Sequence, residues 1–319
     1  MSVIGYHASH EQFSPHDLLR YVKAAEQAGF DGAMCSDHFH PWVPSQANSA
    51  FAWSWLGAAL EGTSLSLGTV NAPGQRYHPA IIAQAAATLA AMYPGRFWLA
   101  VGSGEALNES ITGERWPAKD ERNARLRECA EVMRALWRGE TVTHRGLVTV
   151  EQARLYSLPA EPPLLFAAAV SAETARWAGE WADALITVAA PPEEARKVAD
   201  AFREQGGNKP LAMQVQLAWS GSKEAAAQLA REKWPIVGLG GDMLWELRTP
   251  EQFEEAVQSL DPAVFRENIL ATDSAEEIVE RIGRYLEIGF ERLYVHHVGP
   301  DQERFIERFA AEVLPQLRR

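Results

Sequence analysis

The heptapeptide Ser36-Asp37-His38-Phe39-His40-Pro41-Trp42 gathers more reactive side chains than any other stretch of this chain. A carboxylate beside an imidazole can set the ring's tautomer and charge, and an indole two residues past a second imidazole offers a flat wall for a conjugated ring. Taken alone, the segment reads equally well as an Asp cap followed by two surface histidines on an ordinary loop. Two other places add to it: Asn71, and the run Gly102-Ser103-Gly104-Glu105-Ala106-Leu107-Asn108-Glu109. That run resembles a phosphate-binding glycine loop only superficially, because the dinucleotide fingerprint needs a third glycine that Ala106-Leu107 does not supply. We read its glycines as points where backbone comes close to a ligand.

The elements that would position these residues alternate strand and helix. Val3-Ile4-Gly5-Tyr6 reads as a first strand, followed by a polar loop with His7, His10 and Glu11 and a helix closed by Gly29. Phe30 to Cys35 is a short apolar run of the kind buried on both faces in a parallel sheet, so the heptapeptide lies just past a strand's carboxyl end. Strands follow at Leu65-Val70, Phe97-Val101, Leu164-Ala169, Ala184-Val188 and Leu211-Trp219, then Ile269-Leu270-Ala271 and a last strand Arg292-His297. Pro79 opens an alanine-rich helix, for which packing on the barrel and an interface between two copies are both open; a homodimer is expected. The arginines of the helix from about Lys119 to Trp137 alternate with glutamates at helical spacing and read as a solvated face. Residues 139–156 look like a hairpin outside the repeat, and 222–265 like an insertion over the barrel mouth, with Trp234, Gly238, Gly240, Gly241 and Trp245.

This alternation predicts a single (β/α)8 TIM barrel spanning residues 1–319, with insertions. The loops carrying Asp37, His38 and Trp42, then Asn71, then Glu105 and Asn108, would converge on one mouth at the carboxyl ends of the strands. A metal site competes with that reading, since His38 and His40 lie two apart and His296-His297 ends the last strand. No further His or Lys stands at the ends of strands four to six, so no metal is expected, and of His296 and His297 at most one enters the barrel.

Thirty basic against forty-two acidic residues give a formal net charge of -12, which disfavours a nucleic-acid partner. The two cysteines, Cys35 and Cys129, fall in a predicted buried strand and a helix and suggest no disulfide framework. With no signal-peptide pattern at Met1-Ser2-Val3-Ile4 and no apolar run long enough to span a bilayer, we expect a soluble, cytoplasmic protein without membrane contact.

Four sets of residues together resemble one family. They are Gly5-Tyr6 with Glu11-Gln12-Phe13, Ser36 to Phe39 with Pro41-Trp42, Arg76-Tyr77 with Pro79-Ala80, and Val101-Gly102 with Gly104 to Glu109. They are similar to the luciferase-like flavin and deazaflavin oxidoreductases, and within them to the F420-dependent glucose-6-phosphate dehydrogenase branch. The resemblance implies a tricyclic ring in the barrel mouth. His38 and Trp42 would face the reacting substrate, Glu105 would manage a proton, and Asp37 would fix the cofactor edge. Val70, Asn71, Gly104, Asn108, Ala169, Val170 and Ser171 would complete the cofactor site. It also implies a cis peptide that is not before proline, at Val70-Asn71 or the bond before it.

Two departures bear on the chemistry. Where sugar-phosphate members hold phosphate with cations, this chain places Ala190, Glu255 and Glu267, with Arg266 as the nearby cation. Val170-Ser171 replaces a glycine pair typical of F420 enzymes, which favours FMN, its phosphate received by Ser171 and the following amides. The expectation is therefore an FMN-dependent oxidoreductase or monooxygenase acting on a small organic substrate, with a flavin reductase as a possible partner. F420-dependent hydride transfer is the alternative, and a flavin-binding protein without turnover or a metal-dependent hydrolase are further ones.

Overall fold

The computed structural model describes residues 2–240, 243–261 and 264–318, without the side chains of Arg266 and Glu267. Gly241, Arg266 and Glu267, singled out above, therefore lie wholly or in their side chains outside the described residues. The strands are β1 Val3–Ala8, β2 Gly32–Cys35, β3 Ser66–Asn71, β4 Phe97–Val101, β5 Val142–Arg145, β6 Thr149–Ala153, β7 Leu164–Ala168, β8 Ala184–Val188, β9 Leu211–Trp219, β10 Leu270–Thr272 and β11 Arg292–His297. The helices up to the insertion are α1 Pro15–Gln27, α2 Ala52–Gly62, α3 Pro79–Met92, α4 Ala106–Glu109, α5 Lys119–Trp137, α6 Ala172–Gly179 and α7 Pro192–Gly206. Then come α8 Lys223–Lys233, α9 Met243–Glu246, α10 Pro250–Gln258, α11 Val264–Glu267, α12 Ala275–Ile288, α13 Gln302–Glu312 and α14 Leu314–Leu317.

Eight strands close into a parallel ring in the order β9-β11-β1-β2-β3-β4-β7-β8, with β8 pairing back to β9, and helices surround it: a (β/α)8 TIM barrel. β10 lies outside the ring and extends the far end of β9, with Leu270 opposite Leu217. β5 and β6 form the separate antiparallel hairpin. Helix starts follow local chemistry: Ser14, Ser171, Ser222, Thr249 and Ser274 each accept a backbone N–H from the first turn of the helix they precede.

Period-two alternation divides each strand between the helix-facing shell and the barrel interior. The interior floor is a dry cluster of Met34, Trp98, Ala100, Phe166, Ala184, Ile186, Ala212 and Tyr294, in which the Trp98 ring lies 5.0 Å from Phe166 and 5.2 Å from Tyr294. Gly68 makes this possible, because a Cβ there would lie 2.1 Å from the Trp98 ring. The floor fills the barrel, so polar side chains have room only above it, at the carboxyl ends of the strands.

Two expectations need correction. The arginines of α5 are not one solvated face. Arg122 is buried, stacked 4.4 Å from Trp116 with its guanidinium on the Pro117 carbonyl (2.8 Å), and buried Arg125 donates to the Gln75 side chain (3.1 Å). Their aliphatic stems cover apolar surface while the guanidinium groups find acceptors, which a charge-spacing argument does not see. The cis peptide is also absent: no peptide bond among the described residues is cis, and β3 stays in regular register with β4 through Asn71 opposite Val101.

Candidate active site

Three loops meet above the floor because their strands are neighbours in the ring. β1 and β2 pair through Ala8 opposite Cys35, which brings the segment after β1 alongside the segment after β2. There Glu11 accepts hydroxyl hydrogen bonds from Ser9 (2.9 Å) and Ser36 (2.6 Å) and lies 3.5 Å from His38 Nδ1. From the end of β4, Glu105 approaches the opposite ring nitrogen, its Oε2 3.6 Å from His38 Nε2. His38 thus stands between two carboxylates at separations slightly too long for hydrogen bonds, and its buried Nδ1 has no hydrogen-bond partner among the described residues. The Trp42 ring is 4.8 Å from the imidazole.

The two carboxylates are tuned in opposite directions. Burial opposes ionisation of Glu11, but the adjacent His38, the Ser36 hydroxyl and its own backbone amide together hold it below the usual glutamate range. Burial raises Glu105 and the charge of Glu11 adds to that, while His38 and Asn108 offset only part. Two carboxyls driven apart around one imidazole are the arrangement expected of a fixed charge and a proton carrier.

A second cluster lies beside the first. Asp37 is buried, and its carboxylate accepts from Asn71 Nδ2 (2.6 Å) and the Tyr77 hydroxyl (3.0 Å). Arg76 donates to the Asp37 carbonyl (2.9 Å) and lies 3.7 Å from its carboxylate. The same guanidinium reaches Glu109 (3.3 Å), whose other oxygen accepts the Arg76 backbone N–H (2.7 Å). Burial raises Glu109 to about 7, with Arg76 offsetting only part of the cost. Asn71 falls on the same face of β3 as Leu67, which packs in the helix-side core, so this cluster sits behind the strand ends.

Asn108 spans the two loops: its Oδ1 accepts the backbone N–H groups of Phe39 (2.8 Å) and His40 (3.3 Å), and its Nδ2 donates to Glu105 (3.1 Å). Gly104 has φ +85°, and a Cβ there would lie 3.0 Å from Glu109 Cγ, so only glycine lets the chain turn between Glu105 and the second cluster. Val70 packs half-buried on the floor. Ala169 is buried, Val170 is 47% exposed, and Ser171 caps α6 by accepting from Thr174 N (3.3 Å). Among the described residues, no hydrogen bond or ion pair joins these three to either cluster.

The structure therefore brings His38, Trp42, Glu105 and Asn108 together, places Asp37 and Asn71 in the neighbouring cluster, and leaves Ala169 to Ser171 at the end of β7. Sequence reasoning gave no role to Glu11, Arg76, Tyr77 or Glu109. Glu109 stands one helical turn from Glu105, and that spacing was the available signal. His296 enters the barrel, bonded to Gln12 (2.8 Å) with its ring 4.5 Å from His7, while His297 stacks on Phe305 at 4.6 Å in the helix layer. No group of three or more His, Cys, Asp or Glu among the described residues is arranged to hold a metal ion.

A sequence profile described as luciferase-like monooxygenase matches residues 1–292. The chain belongs to the luciferase-like monooxygenase family. It is 38% identical to the F420-dependent glucose-6-phosphate dehydrogenase of Segniliparus rotundus over 99% of this chain and 98% of that protein. The protein of the same name from Mycobacterium tuberculosis H37Rv is 36% identical over 99% of this chain and 98% of its own length. Among solved structures, an F420-dependent secondary alcohol dehydrogenase in complex with an F420-acetone adduct superposes with a TM-score of 0.92 at 34% identity, covering 100% of this chain and 99% of that one. The coenzyme F420-dependent tetrahydromethanopterin reductase of Methanopyrus kandleri (TM-score 0.80, 19% identity, 99% of each chain) shares the fold. This family member is an oxidoreductase. No helix among the described residues is long and apolar enough to cross a membrane.

Proposed function

We propose that the protein is an F420-dependent dehydrogenase that interconverts a small, unphosphorylated alcohol and its carbonyl product. The observation that carries this is His38 held between a carboxylate tuned down, Glu11, and one tuned up, Glu105, with Trp42 beside it. Alcohol oxidation separates a proton from a hydride, and this constellation is suited to the proton. The residues present fit a flat heteroaromatic ring at the mouth. His38 Nδ1, a buried polar atom without a partner among the described residues, follows the end of β2, and half-exposed Val170 and Val188 at the ends of β7 and β8 offer apolar surface that a ring would cover. When bound, a deazaflavin accepts or returns the hydride at its central ring.

The chain's own contribution is orientation and proton handling. His38 takes the hydroxyl proton, Glu11 stabilises the imidazolium that forms, and Glu105 holds or releases a proton on the other side of the ring. Trp42 walls the site. It is buried edge-on against Phe253 (5.3 Å) in an apolar cluster with Trp234, Ile236 and Leu239, so the insertion at 222–265 serves as a cover that keeps water from the reacting atoms.

FMN was the expectation from Val170-Ser171; the relatives, several named for F420 at 34–38% identity over nearly the whole chain, favour the deazaflavin instead. The absence of phosphate is supported by half-buried Ala190 and exposed Glu255 at two of the three positions where the resemblance places cations. Among the described residues, Arg281 is the only charged side chain lining the small cavity beside Ala190, and glucose 6-phosphate is therefore included as a test substrate. Protein incubated with F420, FMN or neither would be desalted, and the retained molecule released by denaturation and weighed. F420 retention with anaerobic reduction of F420 by a secondary alcohol such as isopropanol is the expected result. Retention of FMN alone, or turnover of glucose 6-phosphate in preference to simple alcohols, would overturn the corresponding half of the reading.

A further inference from the structure

We propose that Asn108 is a positioning residue that ties the protonation of Glu105 to the loop carrying His38; this rests on the reading of Glu105 as a proton carrier. Its amide is used from both ends. Oδ1 accepts two consecutive backbone N–H groups, those of Phe39 (2.8 Å) and His40 (3.3 Å), directly after His38. Two N–H groups converging on one atom identify that atom as the carbonyl oxygen, so the NH2 group must face Glu105 Oε2, 3.1 Å away. Asn108 is buried, and a neighbouring contact reinforces it: His40 Nδ1 lies 2.9 Å from the Leu107 carbonyl. The loop after β2 is thus clamped onto α4 by contacts on both sides of a single turn. One face of the clamp fixes the backbone beside His38 and the other donates to the carboxyl that flanks the His38 ring.

The consequence is specific. An N–H donated to Glu105 favours its charged form, so Asn108 holds the carboxyl closer to the range in which it can exchange a proton than burial alone would leave it. Oδ1 takes two backbone N–H groups and Nδ2 gives one N–H to Glu105, so within the protein Asn108 bears on Glu105 and on the backbone beside His38.

Asn108→Asp separates the two roles, because a carboxylate still accepts from Phe39 and His40 but cannot donate to Glu105. Asn108→Ala removes both. The measurement is infrared difference spectroscopy of carboxyl protonation during pH titration of the cofactor-free protein, with Glu105→Gln identifying the band that belongs to Glu105. The expected result is a Glu105 midpoint moved upward by about one pH unit in Asn108→Ala and by more in Asn108→Asp, where a like charge is added. The thermal midpoint should stay near wild type only in Asn108→Asp. An unchanged Glu105 midpoint in Asn108→Asp overturns the proposal, as does a shift in Asn108→Asp with none in folded Asn108→Ala, since repulsion alone would then explain it. Should Asn108→Ala fail to fold, Asn108→Leu, which is close in size, adds no charge and cannot donate, takes its place: a raised Glu105 midpoint supports the proposal and an unchanged one overturns it. The readout needs no substrate or cofactor, so a protein that binds neither F420 nor FMN would refute the functional reading while leaving this coupling measurable.

Discussion

Two groups of charged side chains lie next to each other at the top of the barrel, and they are built on opposite principles. In the group made by Asp37, Asn71, Arg76, Tyr77 and Glu109, both Asp37 carboxylate oxygens accept hydrogen bonds and Arg76 engages both acids. In the group made by Glu11, His38 and Glu105, the imidazole faces both carboxylates at 3.5 and 3.6 Å without a hydrogen bond to either. A buried charge with its partners in place holds backbone where it is; a buried charge kept just short of them remains free to react. The first group fixes the ends of β2, β3 and β4, and the second stands on that frame.

The largest expected effect comes from the open group. Replacing His38 by Asn should slow the proposed reduction of F420 by an alcohol about 10²- to 10⁴-fold, the range a positioned acid or base supplies. The thermal midpoint should hardly move, because among the described residues no hydrogen bond ties the His38 ring to the fold, its nitrogens standing 3.5 and 3.6 Å from the nearest carboxylates. Single-turnover absorbance of F420 against a parallel melt separates the two outcomes. A rate within about threefold of wild type would remove His38 from the proton path. The closed group should behave in the reverse manner. Arg76→Met strands Asp37 and Glu109 without their cation, and urea denaturation should show a loss of about 3 kcal/mol, as for breaking a buried pair from one side. A loss under about 1 kcal/mol would mean that the neighbouring donors already satisfy the two acids and that the frame does not need its arginine.

The same contrast explains what could be read from the chain. The barrel was legible because each strand is a short apolar run followed by a polar loop, and His38, Trp42 and Glu105 were legible because each lies within a few residues of such a strand's end. Glu11 was harder: it sits among His7, Ser9 and His10 in a loop that looks merely polar, and it meets His38 only because β1 and β2 are laterally paired. Arg76 and Glu109 are 33 residues apart and resemble ordinary surface charges until closure of the ring brings β3 and β4 together. The buried arginines of α5 were misread for a related reason. Charge spacing along a helix reports which side chains can pair with one another, not whether a loop such as Gln75 or Pro117 will cover them.

The smallest predicted effect is also the finest test of the contrast, because it concerns a single proton inside the closed group. Glu109 ionises near the ordinary glutamate value of 4.5 when unfolded and near 7 in the folded protein, where burial outweighs the pull of Arg76. Between those values the folded state binds more protons than the unfolded one, so this group's contribution is complete below about pH 4.5 and fades as pH rises to about 7. Glu109→Gln removes the titration. Relative to wild type, the variant should therefore gain about 2 kcal/mol in stability between pH 4.5 and 7, on top of a pH-independent loss from the weaker acceptor. Urea midpoints for both proteins across that interval give the comparison directly. Parallel curves would show that Arg76 keeps Glu109 ionised throughout, and the closed group would then carry two fixed negative charges against one positive.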